Sequence, residues 1–317
     1  TVPPHNTVLR ATATDAAGNT SPETRATVDS ELPAAPKVDP TNGGSIMGTA
    51  EAGTVVIVKD GAGKLIGSAT ADGNGNYSIK LATPLTHDTA LNVTATDAAG
   101  NTSQPARATV DGQAPGAPTV KPTNGSLISG TAEAGSVVTV KDGAGKLIGS
   151  ATADGGGAYA IRPAVPPSDG TVLQVSATDA AGNTGPSANA TVDAVPPGQP
   201  SIDPTNGKLI SGFAEALSVV TVRDGAGNVI GSTTAAANGA YSIKPAFVLA
   251  DGTVLRAFAT DAAGNASSEA RGTVDGVVPV TPTISPTNGN RISGKAEAGS
   301  IVTVKDDAGN LIGSAAA

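Results

Sequence analysis

The chain has 317 residues, 27 acidic and 19 basic, with no Cys, no Trp, three Tyr and three Phe. A net charge of −8 offers no basic face for nucleic acid, whose phosphates require one. Absence of Cys excludes a disulfide scaffold and thiolate metal sites, and no run of eighteen apolar residues provides a membrane span.

Gly (41) and Pro (23) make up about a fifth of the chain, short of the roughly 25–30% that marks low-complexity disorder. The stretch Asp-Ala-Ala-Gly-Asn occurs four times, opening at Asp15, Asp97, Asp179 and Asp261, 82 residues apart each time. A fixed period of that length means a tandem array. Its parts are the end of a repeat (1–29), three full repeats (30–111, 112–193 and 194–275) and the start of another (276–317).

In chain order, residues 1–29 carry a strand over 7–14, the Asp15 turn and a second strand ending at Asp29. The first full repeat opens on Leu32-Pro33-Ala34-Ala35-Pro36, stiff because each Pro fixes its own φ and holds its predecessor extended. Short strands follow at 37–39, 45–50, 54–59, 64–69, 77–80, 90–96 and 106–110, separated by turns. Pro40-Thr41-Asn42-Gly43 and Asp60-Gly61-Ala62-Gly63 are turns by residue type. On the third strand Val56 and Val58 share a parity with Val138, Val140, Val220 and Val222, so that parity faces the core. Tyr77, Ile79, Leu91, Val93 and Ala95 point inward on later strands.

Seven short strands in 82 residues predict an all-β fold, a tandem array of Ig-like antiparallel β-sandwich domains set end to end. Solenoid coils and propeller blades have shorter periods. The Cys–Trp–Cys pin of antibody-like domains is missing, so a fibronectin-like strand order stays open.

Up-and-down strand order places the loop after the second strand, the Asp72 turn and the Asp97 turn at one pole, where the preceding repeat's last strand ends. Carboxylates thus meet at each joint: Asp29, Glu51 and Asp97; Asp111, Glu133 and Asp179; Asp193, Glu215 and Asp261; and Asp275 with Glu297. Crowded carboxylates repel one another, and a hard divalent cation relieves that. Ca²⁺ takes six to eight oxygens without strict geometry, and Asn101, Asn183 and Asn265 are positioned to add a side-chain or main-chain oxygen. The hairpin residues Asp60, Asp142, Asp224 and Asp306 are read instead as shaping their own turns, as are Asp72 and Asp154, since Ala236 fills the third copy. Leu217 stands where Gly53, Gly135 and Gly299 do, which predicts a differently shaped loop at the third joint. His5 and His87, read as having no repeated counterpart and no nearby Cys, make no zinc site. No His–Asp pairing accompanies the Ser and Thr residues, so no hydrolytic triad is expected and the chain is read as no enzyme.

The segments Asp97-Ala98-Ala99-Gly100-Asn101-Thr102, Gly48-Thr49-Ala50-Glu51-Ala52-Gly53 and Val56-Ile57-Val58-Lys59-Asp60-Gly61 resemble bacterial Ig-like repeats of giant Gram-negative surface adhesins, the biofilm-associated Bap/BapA-like and SiiE-like group. The likeness covers the whole chain. It implies a long, type I-secreted, extracellular stalk at the bacterial cell surface, with Ca²⁺ between domains and a role in cell adhesion and biofilm formation. The partners expected are calcium, neighbouring repeats of the same chain, and a host or abiotic surface or further adhesin copies. The rival reading is an adhesive module that grips a glycan, a matrix protein or another copy through loops such as 83–89. Sugar-binding faces usually carry exposed aromatics, and few exist here, with Phe247 and Phe258 in the last full repeat. The stalk is therefore preferred. At about 3.3 Å per strand residue, each repeat would add very roughly 35–40 Å of reach.

Overall fold

A computed structural model describes residues 2–317. The chain divides into two compact units, 1–193 and 194–317. Among the described residues each unit consists of strands, turns and loops, with no helix.

The first unit opens on the antiparallel pair β1 (Val8–Ala11) and β2 (Thr24–Thr27). The first full repeat follows as β3 (Lys37–Val38), β4 (Ser45–Thr49), β5 (Val55–Asp60), β6 (Leu65–Thr70), β7 (Asn76–Lys80), β8 (Ala90–Thr96) and β9 (Ala106–Thr109). Its two sheets run β3-β4-β7 and β6-β5-β8-β9. In the antibody constant order the fourth strand joins the first sheet. Here the tight Asp60 turn keeps β6 registered on β5 from Lys59↔Leu65 to Val55↔Thr70. The strand order is thus the fibronectin-like one, the alternative that strand counting left open.

The second repeat has β10 (Ile128–Thr131), β11 (Val137–Asp142), β12 (Leu147–Thr152), β13 (Ala158–Ile161), β14 (Val172–Thr178) and β15 (Ala188–Thr191). Sheets β10-β13 and β12-β11-β14-β15 repeat the arrangement. Its opening segment is irregular yet still bonds along the second strand, through Thr119 N–H to the Thr131 carbonyl and Lys121 N–H to that of Ser129.

The second unit holds β16 (Ile210–Phe213), β17 (Val219–Asp224), β18 (Val229–Thr234), β19 (Ala240–Ile243), β20 (Val254–Thr260) and β21 (Ala270–Thr273), paired in the same way. Two hairpin-like pairs follow, β22 (Thr283–Ile284) with β23 (Gly294–Lys295) and β24 (Ile301–Lys305) with β25 (Leu311–Ala316).

Each full repeat has one core between its two sheets. Val56, Val58, Val138, Val140, Val220 and Val222 are all completely buried, as their shared parity requires. Leu91, Val93 and Ala95 are buried from β8, the strand beside β5 in the same sheet, with Val58 paired to Val93 and Val56 to Ala95. Tyr77, Tyr159 and Tyr241 cross the core, and their hydroxyls donate to the carbonyls of Lys37, Thr119 and Ser201. Burial pushes each phenol up to about 12. Gly48 makes that crossing possible: a Cβ there would stand 2.0 Å from the Lys37 carbonyl oxygen and 2.8 Å from the Tyr77 hydroxyl.

Candidate functional site

The Asp97 turn is built by its own carboxylate. Oδ1 accepts the backbone N–H groups of Ala99 and Asn101, both at 2.9 Å, and Oδ2 accepts the Asn101 side-chain amide at 2.8 Å. Main-chain bonds from Asp97 N–H to the Asn101 carbonyl and from Gly100 N–H to the Asp97 carbonyl close the loop. Gly100 has φ of +93°, a left-handed conformation that glycine adopts without steric cost. The Asn101 amide, with the backbone N–H groups, holds the Asp97 carboxyl below its ordinary value. Each bond stabilises the charged form.

The hairpin aspartates use the same device. Asp60 Oδ1 accepts from Ala62 and Lys64, Asp142 Oδ1 from Ala144 and Lys146, and Asp224 and Asp306 bind Asn228 and Asn310. Asp72 and Asp154 do likewise. These six residues shape their own turns, as expected.

Within the first unit the Asp97 and Asp179 turns differ from those hairpins in reaching the chain that precedes their repeat. Asn101 Nδ2 donates to the Asp29 carbonyl at 3.2 Å, and Asn183 Nδ2 donates to the Asp111 carbonyl at 2.7 Å. The predicted meeting of turn and preceding strand end therefore occurs at both joints. At the second, Asp111, Glu133 and Asp179 line one cavity of about 220 Å³, together with Thr41, Thr109 and Gly135. At the first, Asp29 meets the Asp97 turn through Asn101, while Glu51 lies exposed in the adjoining loop.

Carboxylates and carbonyls are oxygen donors of the kind a hard divalent cation takes. As the side chains stand, no three Asp, Glu or His residues among those described close on one point that could hold a metal ion. Glu133 is exposed, Asp111 is exposed with its Oδ1 accepting Gln113 N–H at 3.1 Å, and Asp179 is tied to its turn.

Asp193 ends the first unit, its N–H bonded to the Thr123 carbonyl. In the second unit Asp261 caps its turn through Asn265, and Glu215 lies exposed in the loop after β16. Asp275 Oδ1 accepts Val277 N–H at 3.1 Å, and Glu297 Oε2 accepts Val280 N–H at 3.2 Å, so both acids support the same linker.

Three expectations need correcting. Asn101 and Asn183 present their amide nitrogens, not an oxygen, because both groups before them, an aspartate oxygen and a linker carbonyl, are acceptors. Leu217 does not reshape its loop. It adopts φ of +66°, close to the +81° of Gly53, and keeps the equivalent bond from its N–H to the Ala235 carbonyl. His5 and His87 do have counterparts: they are 82 residues apart and share their place with Asp169 and Asp251. His5 Nδ1 accepts Ser30 N–H, His87 Nδ1 accepts Gly112 N–H, and Asp251 Oδ1 accepts Gly276 N–H. This position supplies an acceptor to the linker, a role that the 82-residue spacing alone could have exposed. Phe213 also belongs to the third full repeat, so all three Phe of the chain lie there.

A family model described as bacterial Ig domain matches residues 33–112, 114–194 and 197–276. No curated protein matches the chain. Among solved structures, one described as a biofilm associated protein BSP domain is 15% identical, with a TM-score of 0.25, over 77% of this chain and 66% of that one. The chain thus spans just under two thirds of that structure's length. Chicken CNTN1 FN1–FN3 domains are 14% identical at a TM-score of 0.33, over 77% and 98%. Fibronectin(III)-like modules of Clostridium thermocellum CbhA are 19% identical at 0.28, over 49% and 90%.

Proposed function

From the premise that the chain belongs to the bacterial Ig domain family, we propose that it is a run of spacer repeats in the stalk of a large adhesin on the bacterial cell surface. The observation that carries this reading is the recurrence of one joint device. The Asp-Ala-Ala-Gly-Asn turn of each of two successive repeats bonds to the last residue of the repeat before it. A part duplicated at two successive joints suits a spacer, and the reading carries no catalytic role.

We also propose that Ca²⁺ stiffens the joints within the first unit, with Asp111, Glu133 and Asp179 as ligands at the second and Asp29, Glu51 and Asp97 at the first. The lining of one cavity by those three acids supports this. When bound, the ion would neutralise their charge and tie two repeats together, and binding only the folded form would stabilise it. Extracellular modules bind Ca²⁺ at roughly 10⁻⁴–10⁻³ M, so such joints would fill outside the cell. Export by a type I route before the joints fill belongs to the same proposal.

Phe213 and Phe247 are exposed, which favours the rival reading of an adhesive module in that one repeat. Being confined to one repeat, they do not account for the array. Small-angle scattering and thermal melting with EDTA and with Ca²⁺ test the stalk's stiffening. The profile is expected to change and the Tm to rise when Ca²⁺ is added, and identical curves in both conditions would remove the cation from the proposal.

A further inference from the structure

We infer that Asn183, like Asn101 one joint earlier, is a clasp that holds neighbouring repeats in one register without any ion. This rests on the stalk reading and concerns how its joints hold before a cation arrives. One side-chain nitrogen does the work: Asn183 Nδ2 donates to Asp179 Oδ2 at 2.8 Å and to the Asp111 carbonyl at 2.7 Å. The first acceptor is a carboxylate, so that bond is charge-assisted.

The two ends of the clasp are each anchored in their own repeat. Asp111 N–H is bonded to the Thr41 carbonyl of the sandwich it leaves, and Asn183 N–H is bonded to Asp179 Oδ1 in the sandwich it enters. One amide thus joins residues 72 apart in sequence. The linker between them is held as well: Gly112 N–H donates to His87 Nδ1 and Gln113 N–H to Asp111 Oδ1. Asn228 offers the contrast. It has the same local bonds to Asp224 in a hairpin turn, through its backbone N–H and through Nδ2 at 2.9 Å. The second acceptor, the linker carbonyl, is what the joint adds.

The carboxylate oxygens each keep lone-pair capacity beyond the bonds they accept. A cation arriving at Asp111, Glu133 and Asp179 would therefore act on a joint already aligned.

The chain has no Cys, so Lys64→Cys and Lys146→Cys, both exposed and in successive repeats, give a unique pair for spin labels. The probe is the inter-label distance distribution of the full chain in EDTA. Adding Asn183→Ala is expected to raise the population outside the main peak about fivefold, the size of losing one net hydrogen bond. Asn228→Ala, which removes the same local amide bond elsewhere, should leave the distribution unchanged. Its melting curve, compared with that of Asn183→Ala, shows whether the latter remains folded. An Asn183→Ala distribution superimposed on its parent in EDTA would overturn the clasp, even if Ca²⁺ then narrowed both. Broadening in EDTA with no response to Ca²⁺ would uphold the clasp and remove the cation instead.

Discussion

Leu217 holds a left-handed backbone at φ +66° while its side chain remains 70% exposed. A non-glycine residue there carries about 1–2 kcal/mol of steric strain, and little packing offsets it. Glycine would relieve the strain but loses more chain entropy on folding, roughly 0.5–1 kcal/mol. The balance favours Leu217→Gly by about 0.5–1 kcal/mol. Calorimetry should therefore show the third repeat melting a few degrees higher; an unchanged or lower Tm would mean that the loop relaxes around leucine. The sequence pointed to this position by comparison with Gly53, Gly135 and Gly299. Residue type argued that leucine would bend the loop, and instead leucine submits to it. The answer came from the hydrogen bond to the Ala235 carbonyl, made by a neighbouring strand end.

At the scale of elements, the recurrent unit is the turn closed by an aspartate. Hydrogen bonds from asparagine amides and backbone N–H groups hold the carboxyls of Asp15, Asp97, Asp224 and Asp306 below the ordinary value of 3.8. Asp72 is lowered chiefly by the N–H groups of Asn76 and Asn74. A carboxyl whose value falls on folding stabilises the fold fully above its unfolded value, and that contribution disappears as pH drops through the folded one. Melting temperatures should accordingly hold level at mildly acidic pH and fall below about pH 4. A Tm that stayed constant down to about pH 2 would show that these turns contribute nothing through their charge. The turns themselves were legible from residue type, because Asp binds nearby amides and Gly tolerates positive φ. The direction of the asparagine amides was not. A side-chain amide offers both a donor and an acceptor, and the acceptors before it, an aspartate oxygen and at the joints a linker carbonyl, decide between them.

For the molecule as a whole, the calcium proposal makes a local claim. Asp179→Ala removes one ligand from the second joint and leaves the acids of the first, Asp29, Glu51 and Asp97, in place. Distance measurements across each joint in the first unit should show the second losing its response to Ca²⁺ while the first retains it. A response lost at both joints, or at neither, would contradict ligation by these residues. Because Asp179 also closes its own turn and holds Asn183, the same variant should loosen the second joint in EDTA.

What the sequence determined by itself was whatever depends on period and parity. The 82-residue spacing set the array, and the shared parity of Val56 and Val58 set the core face, because successive side chains on a strand point to opposite sides and those two apart share one. The tertiary structure decided the strand order, since strand count fits both Ig-like and fibronectin-like sheets and the observed pairing of β6 along β5 selects the second. Strand order placed the Asp-Ala-Ala-Gly-Asn turn beside the preceding repeat's end, but the structure alone decided which atoms meet there, the asparagine amide and the linker carbonyl. Asp111 and Asn183 are 72 residues apart, and their contact depends on where one repeat ends against the next, which no local pattern encodes.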